Sequence, residues 1–246
     1  MCRNILVFGA TSAIAHAVAR RYARESASFV LVGRDRTKLE ANAADLSVRG
    51  AAKAVILVAD LNDFEAQKEL IDRAALELGS LDIVLIAHGT LPDQQRCWQD
   101  AGEMRLAVNT NLVSVVNLAT LIAARLQLQR KGSLVVLGSV AGDRGRRSNY
   151  VYGAAKAGVG VFLEGLGARL LGEGVHVLTV KPGFVDTPMT ARFKKGALWA
   201  TPERVAEAVC RAIVLRKRVI YVPWFWRPIM FLVRALPSAI LVRLKI

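Results

Sequence analysis

Residues 3–24 read RNILVFGATSAIAHAVARRYAR. Ile5-Leu6-Val7-Phe8 is an apolar run too short for a helix, and it opens into a glycine, so it predicts a buried strand rather than a leader or a membrane span. Gly9, Thr11, Ser12, Ala13 and Ile14 form the turn that follows, and the alanine-rich stretch His16 to Arg24 continues it as a helix. A strand, a glycine turn and a helix aim backbone N–H groups and a helix N-terminus at one point. That arrangement suits the pyrophosphate of a dinucleotide.

The same unit recurs along the chain. Apolar runs at 28–33, 54–58, 81–87, 133–137, 175–180 and 219–222 predict six further strands. Helical patterns fall between them: Thr37 to about Arg49, a segment ending at Leu78 with Asn62 or Asp63 as its cap, Glu103 to Gln129, a segment from about Asn149, and one capped by Thr201-Pro202. Strand and helix in alternation predict an α/β doubly wound parallel sheet, and with the opening glycine turn a Rossmann fold. We divide the chain into a catalytic, nucleotide-binding domain at 1–222 and an apolar, basic extension at 223–246.

Two further stretches carry chemistry. The second strand ends in Gly33-Arg34-Asp35-Arg36, with a guanidinium where an NAD site places a carboxylate. Arg34 therefore predicts NADP(H), holding a 2′-phosphate with Ser12 or Arg36 as helpers. Residues 138–158 read GSVAGDRGRRSNYVYGAAKAG. Ser139 stands at a strand's carboxyl end, where open sheets bind ligands. Tyr152 and Lys156 are at i and i+4, on one helical face. An ammonium beside a phenol is expected to lower its pKa from about 10 and fit it for proton transfer near neutrality.

Together these features resemble the short-chain dehydrogenase/reductase family over nearly the whole chain. The resemblance implies the strand order we expect, 3-2-1-4-5-6-7. It implies a ketoreductase in which Tyr152 is the acid/base, Ser139 orients a carbonyl, and Lys156 both tunes Tyr152 and binds the nicotinamide ribose. It implies that Asn111 (Asn109 being the alternative) holds a water beside Lys156. Asp60-Leu61 would flank the adenine, Ala87-His88-Gly89 the ribose, and Pro182, Gly183, Val185 and Thr187 the carboxamide or phosphate. The chain departs from the family pattern in places. Ala13 and Ala15 replace the second and third glycines of Gly-x-x-x-Gly-x-Gly, and Ala87-His88-Gly89 replaces Asn-Ala-Gly. Glycines 153, 158, 160, 165 and 167 suit close approach of a partner, and the family assembles as a homodimer or homotetramer through this helix and the one before it.

The formal charge of +14 favours anionic partners. Nucleic acid is not expected, because no basic recognition helix or aromatic stacking platform appears. Cys2, Cys97 and Cys210 have no metal-ligand spacing, so no metal site is expected and a reducing, cytoplasmic setting is. The basic segment Pro188 to Trp199, with Arg192, Lys194 and Lys195, reads as a substrate lid. After Glu207 no acidic residue occurs, and the tail PWFWRPIMFLVRALPSAILVRLKI interleaves tryptophans with Arg227, Arg234, Arg243 and Lys245. Such a segment, broken by Pro228 and Pro237 into short helices, predicts peripheral contact with the inner face of the cell membrane. Turn, lid and tail together resemble a branch similar to decaprenyl-phosphoryl keto-ribose 2-reductase, which implies a lipid-linked keto-sugar substrate. The alternatives are a soluble small-molecule carbonyl substrate and a non-catalytic NADP-binding module.

Overall fold

The structure, a computed structural model, describes residues 3–241 and Arg243; Cys2 and Lys245 lie outside the described residues. The strands are β1 (Asn4–Phe8), β2 (Ser28–Gly33), β3 (Lys53–Val58), β4 (Ile83–Ile86), β5 (Gly132–Leu137), β6 (Val175–Pro182) and β7 (Val219–Val222). They pair in parallel in the order β3-β2-β1-β4-β5-β6-β7, as expected. The order reverses beside β1, so the carboxyl ends of β1 and β4 flank a crevice.

Helices cover both faces. They are α1 (Ala13–Ala23), α2 (Arg36–Val48), α3 (Ala66–Leu78), α4 (Gln94–Gln99), α5 (Ala101–Val108), α6 (Ser114–Gln129), α7 (Tyr150–Arg169), α8 (Pro202–Val214), α9 (Trp226–Ala235) and α10 (Ser238–Leu241). Successive strand residues point to opposite faces, so each strand feeds two cores. Ile5 and Val7 pack with Ala15, Val18 and Val209 on one side, while Leu6 and Phe8 pack with Leu70, Leu118 and Leu163 on the other. Both faces are dry, which is why the strands read as continuous apolar runs.

Two expectations are corrected and one is refined. The stretch predicted as one helix from Glu103 to Gln129 is continuous from Ala101 to Gln129, with a π turn at Asn109–Val113 inside it, the kind of bulge that concentrates at functional sites. Pro228 does not break the tail. It is the third residue of α9, in the first turn, where its missing N–H would have had no helical acceptor. For α3, the N-terminal residue before the helix is Glu65, without a side-chain cap; Asp63 still accepts from the Ala66 N–H at 3.2 Å. The stretch Ala101–Gln129 is long and apolar enough to cross a membrane, but Val115, Leu118, Ile122 and Leu126 of α6 are fully buried in the sheet core.

The tail joins this body through α9. Trp226 and Met230 are buried against Val140, and Arg144 donates to the Leu236 carbonyl at 3.2 Å. The opposite face carries Phe231 and Leu232, 73% and 66% exposed, and Trp224 in the turn before α9 is 73% exposed.

Candidate active site

The connection after β5 holds the first functional group. Ser139 has an extended backbone, and its Oγ accepts from the Ala141 N–H at 3.1 Å, starting a 3-10 turn over Val140–Asp143. That turn is pressed onto α7 at two glycines. A Cβ on Gly142 would lie 2.7 Å from the Ala157 nitrogen, and one on Gly153 would lie 2.9 Å from the Ala141 carbonyl oxygen. No side chain fits in either gap, so main chain meets main chain and the Ser139 hydroxyl is fixed beside the helix carrying Tyr152 and Lys156. Gly158 and Gly167 face Leu112 and Val177 of the same chain, whereas Gly160 and Gly165 have open space beside them.

Lys156 is buried. Its Nζ donates to the Leu137 carbonyl at 3.0 Å and lies 5.8 Å from the centre of the Tyr152 ring. The expected depression of the Tyr152 pKa is not found. Burial raises it above the ordinary phenol value, while the Ser139 hydroxyl, within hydrogen-bonding reach, pulls the other way. The ammonium is itself desolvated, and its pKa falls to about 8. Burial penalises the charged form of each group and here outweighs the pairing that the i, i+4 spacing suggests.

Asn111 lies in the π turn and is fully buried. Its Nδ2 donates to the Ala107 carbonyl at 2.9 Å, and its Oδ1 accepts from the Thr90 N–H at 3.1 Å. Asn109 is exposed, so of the two candidates Asn111 is the one in the site.

Every proposed site residue lines one cleft of about 1070 Å³: Gly9, Thr11, Ser12, Ala13, Ile14, Arg34, Asp60, Leu61, Ala87, His88, Gly89, Asn111, Ser139, Tyr152, Lys156, Pro182, Gly183, Val185 and Thr187. On its nucleotide side Gly9 has φ +71°, and an added Cβ would meet the His88 nitrogen at 2.5 Å. Only glycine satisfies both conditions. Ala13 and Ala15 are helical residues of α1, with no left-handed backbone to accommodate. Ser12 accepts from the Ala15 N–H as the cap.

His88 takes over a tie between strand ends. Ser114 Oγ donates to the Leu61 carbonyl at 2.5 Å, which leaves His88 Nε2, 3.0 Å from that oxygen, as the donor. Burial holds the ring neutral, with a pKa near 3. His88 Nδ1 is then an acceptor, buried and without a partner. Asn62 Oδ1 is another. Two orphaned acceptors on the nucleotide side fit ribose or amino donors. Arg34 is exposed at the rim, and among the described residues it has no ion-pair partner, because Asp35 pairs with Lys38 and caps α2. Arg36 does not line the cleft; it pairs with Glu40 at 3.6 Å. The residues present thus fit a phosphorylated dinucleotide.

The other side of the cleft holds Arg192, from the segment read as a lid, and residues to which no motif gave a role there: Gln94, Arg146, Asn149, Phe184 and Trp226. Phe184 stacks on Trp199 at 5.4 Å and meets Trp226 edge-on at 5.5 Å. In the segment read as a lid, Lys195 pairs with Asp186 at 2.6 Å. No group of three or more metal-ligating side chains occurs among the described residues.

A crossover sheet of this order, with a serine at the end of β5 and a Tyr-x-x-x-Lys helix beside it, defines a nicotinamide-dependent oxidoreductase. The family model for short chain dehydrogenases matches residues 3–197, and the chain belongs to that family. It is 41% identical over 233 residues to an uncharacterized oxidoreductase of Mycobacterium tuberculosis, covering 95% of this chain and 93% of the relative. It is 36% identical over 245 residues to one of Streptomyces coelicolor, covering 99% and 96%. Among solved structures, a single-substitution variant of actinorhodin polyketide ketoreductase with NADPH superposes with a TM-score of 0.80 at 21% identity, over 90% of this chain and 97% of that one, a likeness of fold.

Proposed function

We propose that the protein is an NADPH-dependent ketoreductase. The observation that carries this reading is the convergence of Ser139, Tyr152 and Lys156 on one cleft whose rim holds the unpaired Arg34. The nicotinamide, when bound, supplies the hydride. The Ser139 hydroxyl donates to the carbonyl oxygen and aligns it with the Tyr152 hydroxyl. Tyr152 gives its proton to the oxygen as negative charge develops there, and Lys156 stabilises the phenolate left behind. Arg34 holds the 2′-phosphate, His88 Nδ1 accepts from a ribose hydroxyl, and Asn111 orders the polar path beside Lys156. The reading is tested by following NADPH oxidation with a panel of ketones. Turnover that falls roughly 10²–10⁴-fold in Tyr152→Phe supports it. A Tyr152→Phe variant as active as the parent sinks it.

A membrane-facing substrate is the finer reading, and the outer face of α9, with the turn before it, favours it. Trp224, Phe231 and Leu232 are exposed there beside Arg227 and Arg234. Aromatic and aliphatic groups flanked by cations suit an anionic lipid surface, at the inner face of the cell membrane. The substrate would be a lipid-linked keto-sugar presented at that surface; a soluble carbonyl compound is the alternative. Trp226 lines the cleft, so the test substitutes outward residues rather than deleting the tail. The protein should sediment with phosphatidylglycerol vesicles, and Trp224→Ser/Phe231→Ser/Leu232→Ser should release it while ketone turnover persists. A parent protein that stays in the supernatant rules out the membrane reading. The open flank at Gly160 and Gly165, with Val161 72% exposed, favours assembly as a homodimer or homotetramer through α6 and α7.

A further inference from the structure

The substrate side of the cleft is short of acceptors. Arg146, in the connection between the Ser139 turn and α7, has a buried Nε without a partner. Gln94 Oε1 accepts from the Val151 N–H at 3.0 Å, which fixes the amide and leaves Nε2 as a buried donor with nothing to donate to. Trp226 Nε1 is a third such donor, and Asn149 Oδ1 is an acceptor without a partner. All four residues line the same cleft as Tyr152. A guanidinium does not give up its proton in a protein. Burial without a counter-charge is therefore a standing cost, visible as a lowered Arg146 pKa.

Among the described residues no carboxylate answers this charge. Asp143, three residues before Arg146, is held by Lys181 at 2.5 Å and by the Tyr221 hydroxyl at 2.8 Å. Asp93 accepts from the Gln95 and Arg96 N–H groups as the cap of α4. Asp60, on the nucleotide side, accepts from the Asn62 N–H. The cleft wall thus carries Arg34, Arg146, Lys156 and Arg192 against Asp60 and Asp93, four cations to two carboxylates, and both carboxylates are already engaged by backbone. Position fits as well. Gln94 is tied to the residue next to Tyr152, and Arg146 lies on the chain joining Ser139 to Tyr152.

We infer that Arg146, with Gln94 and Trp226, forms a subsite for an anionic oxygen group, a phosphate or a carboxylate, carried by the carbonyl substrate. The inference rests on the ketoreductase reading and names its substrate class. A planar fork of N–H donors matches such a group in two bonds at once, and the added donors complete its shell.

The test uses the full chain with NADPH and two matched pairs: levulinate against methyl levulinate, and dihydroxyacetone phosphate against dihydroxyacetone. The parent protein should favour the charged member of at least one pair by tenfold or more in kcat/KM. Arg146→Gln should abolish that preference mainly through KM, leaving the neutral members within about threefold and NADPH affinity, read by fluorescence titration, unchanged. Arg146→Lys should restore part of it. Preference in the keto acid pair alone identifies a carboxylate, and in the ketose pair alone a phosphate. Equal rates within both pairs, or equal losses on charged and neutral members in Arg146→Gln, overturn the subsite. If no ketone is reduced, the ketoreductase reading fails separately, and the subsite is read by calorimetric titration of inorganic phosphate into NADP⁺-loaded protein. Saturable binding that Arg146→Gln weakens at least tenfold upholds it; no binding to the parent overturns it.

Discussion

The two sides of the cleft are made of different material. The nucleotide side is strand ends and main chain: Gly9 against His88, the capped start of α1, and the ends of β3 and β4. The substrate side is made of side chains from separate elements: Gln94 in α4, Arg146 before α7, Arg192 in the segment between β6 and α8, and Trp226 in α9. The first inherits its precision from the sheet and leaves little room for change. The second can be rewritten residue by residue without disturbing a strand, which is how one scaffold serves many substrates.

Lys156 stands where the sides meet, and it offers the largest effect. Its pKa falls from 10.5 to about 8 by burial. Between those values the unfolded chain holds a proton that the folded chain has lost, so stability should rise with pH across that window. At about 1.4 kcal/mol per unit, the full span is about 3 kcal/mol. Denaturant midpoints at pH 7.5 and 9.5 should show the rise in the parent, and Lys156→Met should flatten it. Cys97 and Cys210, whose pKa values burial raises, work in the opposite sense, so the parent is compared with Lys156→Met. A rise no larger in the parent than in the variant would mean that Lys156 is not desolvated and that the junction is wetter than described.

Gly183→Ala is a smaller test, aimed at the substrate side. A Cβ there would sit 1.9 Å from Trp226 Nε1. The indole is rigid and hemmed in by Phe184, so α9 must shift. Overpacking of this kind costs about 1–3 kcal/mol, readable as a lower Tm, and substrate KM should rise with it. An unchanged Tm would detach α9 from the cleft wall.

How much of this was legible follows the same division. The strands and helices, the opening turn and the Ser139, Tyr152 and Lys156 set could be read because each depends on local spacing, while the strand order came only with the family resemblance. The His88–Ser114–Leu61 tie could not, because its members are joined only by the fold and no spacing rule links residues 26 and 53 positions apart. Gln94 and Arg146 were invisible for the same reason, and Trp226, read with the tail as a membrane contact, is instead buried against Val140. The π turn left a trace: Asn109-Thr110-Asn111 is poor helix material inside a helical stretch. The direction of the Tyr152 shift was misread because sequence displays neighbours and hides burial, and burial sets the sign here. Pro228 was misread because its effect depends on where the helix begins, a boundary that pattern alone places poorly.

Arg34→Ala gives the smallest effect and separates the two sides most cleanly. Arg34 is exposed at the end of β2, and among the described residues it pairs with nothing, so its removal leaves no buried charge behind and should hardly alter stability. What it loses is one charge-assisted contact with a 2′-phosphate, worth about 1.5 kcal/mol at a solvated rim, or roughly tenfold in NADPH affinity. NADH, which lacks that phosphate, should bind as before, and the KM for a ketone at saturating cofactor should not move. Fluorescence titration of both cofactors against parent and variant measures this directly. Equal weakening of NADPH and NADH would place Arg34 in general support of the turn instead of at the phosphate. A change in ketone KM would mean that the two sides are coupled through β2, and that the rigid half is less independent of the adaptable half than their construction implies.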